Sequence, residues 1–171
     1  MADNSANNNA NNDDVHKLLI GLQSRIDELE SRAALRDLVS DYCLGFDTRD
    51  WDRFISIWHN DAVWEIGPPF GTFNGHDGIR KAVYEILYPV WRETHHLTSN
   101  LRLSFNDPDH AHGICNVDCM GATMDNVVQM ISATYTDDFE RRKGTWKIAK
   151  RNVVIHYFNP IPGAVMSAPG V

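Results

Sequence analysis

Apolar positions in the first third of the chain recur at helical intervals. Leu19, Leu22, Ile26, Leu29 and Ala33 alternate spacings of three and four, the heptad rhythm of one helix stripe. The rhythm lasts two heptads, which suits an amphipathic helix packing on its own domain and also suits a contact between subunits. Residues 33 to 46 continue with Ala34, Leu35, Leu38, Val39, Tyr42 and Cys43 on one side of a second helical stretch. After Asp47-Thr48-Arg49, Asp50 stands where it can cap a short helix over residues 51 to 58. Residues 62 to 66 read as a strand. Gly67-Pro68-Pro69 and Asn74-Gly75 are turn sequences, and residues 78 to 91 return to a helical period through Ile79, Val83, Ile86, Leu87 and Val90.

Beyond Trp91 the pattern changes to long strands over residues 94 to 105, 112 to 122, 127 to 141 and 145 to 158. They are separated by Asn106-Asp107-Pro108-Asp109, Met124-Asp125-Asn126 and Arg142-Lys143-Gly144. Helices followed by hairpin-linked strands predict an α+β domain with a curved antiparallel sheet wrapped around a helical layer. Residues 2 to 14, ADNSANNNANNDD, offer almost nothing to bury against their ordering entropy. The expected organisation is therefore a disordered Asn-rich tail over residues 1–14 and a single domain over residues 15–171. The segment from Asn159, with Pro160, Pro162, Gly163, Pro169 and Gly170, reads as irregular and able to fold over an opening.

Composition narrows the function classes. The chain has 171 residues, with 16 Lys and Arg against 23 Asp and Glu, for a net charge of −7. That balance argues against a phosphate-backbone ligand, so no nucleic-acid partner is expected. No apolar run reaches the roughly 20 residues of a spanning helix, so no membrane insertion is expected. Three cysteines, and no basic stretch leading into an apolar one, suggest a reducing compartment and a cytoplasmic location. Cys115 and Cys119 would stand about 13 Å apart along a strand, too far to bridge, and read as packed small hydrophobes.

Few residues are candidates for chemistry. Asp47 follows a helix with an apolar inner face, which puts its carboxylate at the edge of the core. Tyr42 lies five residues earlier, about 140° around a continuing helix, so both face one pocket only if the helix ends near Asp47. His95 and His96 open a strand, where neighbours point to opposite faces. Strict alternation groups His95 with Leu97, Leu101, Leu103 and Phe105, whereas one bulge before Leu101 would bring His96 inward instead. Arg151 alternates with Ala149, Val153, Ile155 and Tyr157. A buried arginine needs a partner, either in a structural ion pair or as an anion contact in a pocket. His110 and His112 share a strand face but lack an obvious third ligand, and no metal is expected there. No phosphate-cradling loop or nucleophile elbow is present.

Together, Ser31-Arg32-Ala33-Ala34-Leu35-Arg36-Asp37-Leu38, Phe46-Asp47-Thr48-Arg49, Glu93-Thr94-His95-His96 followed by Asn100-Leu101-Arg102-Leu103, Tyr135 through Arg142, and Ala149-Lys150-Arg151-Asn152 form an ordered series. Over about residues 31 to 170 it resembles the SnoaL-like branch of the nuclear transport factor-like superfamily, near the hexachlorocyclohexane dehydrochlorinases. Scytalone dehydratases and bile-acid 7α-dehydratases share that fold. The resemblance implies a cone-shaped, cystatin-like α+β roll, usually a homotrimer, that carries out elimination on a small hydrophobic substrate with no metal and no organic cofactor. It implies Asp47 and His96 as a catalytic dyad and Arg151 as a pocket arginine, and so requires a break in the alternation after His96. It also implies a pocket wall of Trp91, Val117, Cys119, Ala133, Tyr135, Val153 and Ile155, whose pairs 117/119, 133/135 and 153/155 have the spacing of one strand face.

Tyr42 departs from the dehydrochlorinase pattern, which has lysine there, and agrees with the bile-acid dehydratases, which have tyrosine. Departing hydroxide must be protonated, a task suited to a phenol, whereas chloride needs only electrostatic help. The expectation is therefore a dehydratase acting on a hydroxysteroid-like keto or enone substrate, with Tyr42 as acid. Dehydrochlorination of a chlorinated alicycle comes next, followed by double-bond isomerisation or ligand binding without turnover.

Overall fold

A computed structural model describes the backbone of residues 3–164 and the side chains from residue 12 onward. The elements are α1 (Asp3–Asp47), α2 (Trp51–Ser56), β1 (Trp58–Gly67), β2 (Gly71–Asn74), α3 (Gly75–Lys81), a π-helical turn (Ala82–Leu87), and strands β3 (Trp91–Asp107), β4 (His110–Thr123), β5 (Val128–Arg142) and β6 (Thr145–Pro160). Two compact units divide the chain at residues 34 and 35.

The first unit holds the N-terminal part of α1. Where the sequence suggests two helical stretches, no break intervenes, because neither Gly nor Pro interrupts residues 22 to 44. The helix already begins at Asp3, so the stretch expected as a disordered tail is helical from there; adding residues to an existing helix costs far less than nucleating one. Val15, Leu18, Leu19, Ile20, Leu22, Ile26 and Leu29 are all exposed.

The second unit contains a six-stranded sheet in the order β2-β1-β6-β5-β4-β3. Long β3 to β6 pair antiparallel in sequence, as their hairpin turns predict. The expectation of a wholly antiparallel sheet fails at one pair, because β1 runs parallel to β6. The helices after β2 carry the chain to the far edge, and three successive reversals return β6 beside β1 in the same direction. Strand β2, unrecognised in the sequence, is four residues between two turns and pairs only with β1. Trp58, expected at the end of a helix, opens β1 instead.

Residues 35 to 47 of α1 and helix α2 pack on one face of this sheet. Tyr42 contacts the rings of Phe54, Trp58, Trp64 and Tyr135, with centroids 5.2 to 6.1 Å apart. Gly45 makes the helix contact possible: a Cβ there would lie 2.8 Å from the Phe54 backbone nitrogen. Asp50 caps α2 as its sequence position predicts, accepting from the Arg53 amide at 3.1 Å. At the other end of the chain, β6 extends to Pro160, so of the expected irregular tail only residues 161 to 164 lie outside a strand among the described residues; residues 165 to 171 lie outside the described residues.

Candidate active site

The alternation along β3 breaks where the dyad requires it. Ser99 pairs with Asn116 and Arg102 with Ile114, so β3 spends three residues against two on β4, and Asn100 has φ of 58°. Before this bulge the inner face carries Thr94, His96 and Thr98; after it, Leu101, Leu103 and Phe105. His95 and Leu97 point outward. Asparagine is among the few residues that accept such a φ, and it is the local signal that the strand can switch faces.

His96 meets Asp47 at the C-terminal end of α1. The Asp47 carboxylate accepts three hydrogen bonds, from Thr94 Oγ1 at 2.7 Å, from the His96 backbone amide at 2.8 Å and from His96 Nδ1 at 2.6 Å. A carboxylate only accepts, so Nδ1 carries hydrogen and Nε2 of the neutral imidazole keeps its lone pair. Burial opposes ionisation of Asp47, but the hydrogen bonds and charge attraction from His96, with help from Thr94, hold its carboxyl below the ordinary aspartate range. The aspartate is thus fixed as an anion that orients the imidazole.

Thr94 belongs to the Glu93-Thr94-His95-His96 series but the sequence assigns it no role, although it stands two residues before His96 on the same strand face. Arg49, in the Phe46-Asp47-Thr48-Arg49 series, is likewise assigned no role. Its guanidinium donates to the Trp91 carbonyl at 2.5 Å and lies 4.7 Å from the Tyr88 ring centre, tying the loop after Asp47 to the start of β3. No periodicity marks that contact, which joins residues 42 apart in the chain.

The dyad opens onto a cavity of about 100 Å³, several times the space one water needs. Trp91, Val117, Cys119, Ala133, Tyr135, Val153 and Ile155 all line it, as do Tyr42 and His96. Strand register explains the grouping: His96 faces Cys119, Cys119 faces Ile131 and Ile131 faces Phe158, forming one row across four strands. Phe158 would point away from the Val153 and Ile155 face by simple alternation. An extra residue in β6, where Ser132 and Ala133 pair with Tyr157 and Ile155, turns it inward. Phe46, Trp64, Ile66, Phe70 and Leu87 complete a largely apolar wall. Cys119 is buried with its thiol pushed up to about 12, mainly by desolvation, so it is a wall group rather than a nucleophile.

Arg151 occupies a different position from the one expected. It is fully buried and absent from the cavity wall, paired across the strands with Asp137 through Nε and Nη2, both at 2.7 Å. The Tyr42 and Tyr135 rings cover the guanidinium, with their centres 4.1 and 4.3 Å from its carbon. Of the two sequence readings, the ion pair describes this geometry, and any field Arg151 exerts on the cavity passes through the tyrosines. Burial pushes the Tyr42 hydroxyl well above its ordinary range, opposed only partly by Arg151 and by a hydrogen bond with Tyr135.

His110 and His112 bond to separate aspartates, Asp107 at 2.9 Å and Asp138 at 3.0 Å. Among the described residues no group of three or more potential ligands surrounds a metal position. The three cysteines are free and buried. No described helix is long and apolar enough to cross a membrane.

Similarity to known proteins follows the same residues. Hexachlorocyclohexane dehydrochlorinase 1 of Sphingobium indicum is 41% identical over 148 residues, covering 86% of this chain and 96% of that protein. The gamma-hexachlorocyclohexane dehydrochlorinase of Sphingobium indicum is 40% identical over 148 residues, covering 86% of this chain and 94% of its own length. A crystal structure of a type 2 hexachlorocyclohexane dehydrochlorinase superposes with a TM-score of 0.82 at 41% identity, over 85% of this chain and 99% of that one. A cystatin-like protein of unknown function from Nostoc punctiforme, at 18% identity and TM-score 0.63 over 72% of this chain and 90% of its own, shares the fold alone. Residues 27–152 match the SnoaL-like domain, and with these relatives that match establishes that the chain belongs to the SnoaL-like family.

Proposed function

We propose that this enzyme is a lyase that eliminates hydrogen chloride from a small chlorinated alicyclic compound. His96 Nε2 takes a proton from a ring carbon, the C–H electron pair forms the double bond, and the neighbouring C–Cl bond breaks with its electrons leaving as chloride. Asp47 holds the imidazole and stabilises the imidazolium that forms. The observation that carries this reading is a carboxylate-oriented histidine opening onto a largely apolar cavity, which suits an apolar ring. The relatives at 40 and 41% identity are named as dehydrochlorinases, which reverses the order suggested by Tyr42 alone.

Physical chemistry supports that reversal. Chloride departs without a proton, and among the described residues no carboxylic acid, lysine or arginine lines the cavity. Tyr42 is a weaker acid than an exposed phenol because it is buried, which makes it less suited to protonating hydroxide. Its hydroxyl, beside that of Tyr135 and backed by Arg151, suits hydrogen bonding to a departing group more than proton transfer to it. The second reading, dehydration of a hydroxysteroid-like substrate, is favoured by those same two hydroxyls.

The test is incubation of the purified protein and its His96→Ala form with hexachlorocyclohexane and, separately, with a 7α-hydroxy-3-oxo-Δ4 steroid. Chloride release by the wild type, reduced about 10²- to 10⁴-fold in the variant, supports dehydrochlorination. Loss of water from the steroid instead moves the assignment to dehydratase. A bound but chemically unchanged ligand in both cases overturns the lyase reading in favour of a binding domain.

A further inference from the structure

Two aromatic rings meet across the cavity although their strands are far apart in the sheet. Trp91 opens β3 and Phe158 lies near the end of β6, with β4 and β5 between them. Three strand spacings come to roughly 14 Å of backbone, yet the ring centres stand 5.8 Å apart in an edge-on contact at 66°. Neither ring would reach the cavity by alternation. Counting back from Thr94, Trp91 would face outward, but β3 spends one residue more than β4 between the pairs Trp91–Thr123 and Glu93–Ala122, and this bulge turns the indole inward. Phe158 is turned inward by the extra residue in β6. Two bulges on different strands thus aim two rings at one point, and bulges beside a site commonly re-aim side chains in this way.

Gly121 on β4 lets the contact form. A Cβ there would lie 3.1 Å from Trp91 Cε3 and 2.8 Å from the Glu93 carbonyl oxygen, so the indole lies over a position that only glycine leaves open. The two rings are held unequally. Trp91 is 7% exposed, and its carbonyl accepts from Arg49. Phe158 is 43% exposed and stands two residues before a proline, which has no amide to donate. The row His96, Cys119, Ile131 and Phe158 has the base at one end and the ring pair at the other. The cavity along it, about 100 Å³, is smaller than the roughly 300 Å³ at which pockets for drug-sized ligands begin.

We propose that the Trp91–Phe158 contact is a specificity determinant of this site: it closes the end of the cavity opposite His96 and limits the substrate to a single compact ring. The inference rests on the small-ring lyase reading above and adds which residues set the size limit. An elongated compound would have to displace the Phe158 ring, and a size mismatch in an apolar pocket is worth about 10- to 200-fold in selectivity.

The test reads binding without turnover, in the full-length protein, by titrating tryptophan fluorescence with 1,2-dichlorobenzene, a single ring, and with 4-chlorobiphenyl, two rings in line. Neither compound has a hydrogen on saturated carbon to eliminate, so the result stands apart from chloride release from hexachlorocyclohexane, which tests the chemistry. The wild type should bind the single ring at least about tenfold more tightly, although the biphenyl has more apolar surface to bury. Phe158→Ala, at a half-exposed position, should lower that ratio by about tenfold or more. Phe158→Tyr, which keeps the ring, should leave it within about threefold of the wild-type value. A wild-type preference for the biphenyl, a ratio that Phe158→Ala leaves unchanged or that Phe158→Tyr lowers equally, or no binding of either compound to the wild type overturns the proposal.

Discussion

Two acid–base pairs stand near Tyr42 and do opposite things. Asp47 and His96 have side chains 15% and 12% exposed on the edge of an apolar cavity. Asp137 and Arg151 are 1% and 0% exposed and sealed behind two tyrosines. The first pair leaves one ring nitrogen available for a proton, and it sits where a substrate can enter. The second uses two parallel hydrogen bonds to neutralise a charge whose desolvation would otherwise be prohibitive. Access, rather than residue type, separates a candidate catalytic pair from an internal support.

The largest expected effect breaks the first pair. Asp47→Asn should lower turnover by about 10²- to 10⁴-fold, since the amide no longer fixes the imidazole as a carboxylate does. Its unfolding free energy, measured by urea titration, should fall much less, by about 1 kcal/mol, the scale of a lost hydrogen bond. Equal losses of activity and stability would erase the contrast between the pairs.

Breaking the second pair should invert this pattern. Asp137→Ala leaves Arg151 buried and unpaired, and the expected cost is about 3 to 5 kcal/mol of stability, read from the same titration. The folded fraction should retain its dyad geometry, so activity per folded molecule should change less than in Asp47→Asn. A variant of wild-type stability would mean that the guanidinium is neutralised by something other than Asp137.

Tyr42→Phe tests how the buried pair reaches the cavity. The ring that covers Arg151 remains, and only the hydroxyl is lost. If chloride is the leaving group, turnover should fall by no more than about tenfold, the worth of one hydrogen bond; a fall of about 10²-fold or more would indicate proton transfer to a departing hydroxyl.

The smallest effect is a pH dependence. The Asp47 carboxyl is held below its unfolded-state value, so its contribution to stability is fully present above that value, about 3.9, and is lost as pH falls through the lower folded value. The stability difference between wild type and Asp47→Asn should be constant from pH 7 down to about that unfolded value and should shrink below it, as followed by thermal melts. A gap that widens on acidification would contradict the anionic, hydrogen-bonded role.

Local patterns in the chain placed most of the elements, though not β2 or the start of β1, and the family resemblance supplied the residues of the cavity wall. Helical spacing located α1 and α2, hairpin turns separated β3 to β6, and the two-residue spacing of Val117 with Cys119, Ala133 with Tyr135 and Val153 with Ile155 agreed with a shared wall. These features are local, governed by backbone periods of about 3.6 and 2 residues. The family resemblance singled out His96 over His95, and Asn100 was the residue in the chain that made the necessary bulge affordable.

Tertiary structure decided what local periods cannot encode. The parallel β1–β6 pairing depends on where the helices deliver the chain, and β2 is too short to carry a pattern of its own. Thr94 and Arg49 acquire their roles only when α1 and β3 meet across more than forty residues. Phe158 enters the cavity through a bulge without a glycine or proline to announce it. Arg151 is the clearest case: alternation correctly put it on an apolar face, but only the packing of Tyr42 and Tyr135 over it, with Asp137 alongside, decided that the charge would stand behind the cavity instead of within it. Burial and partner choice are properties of the assembled fold, because they depend on residues that the chain brings together from its distant parts.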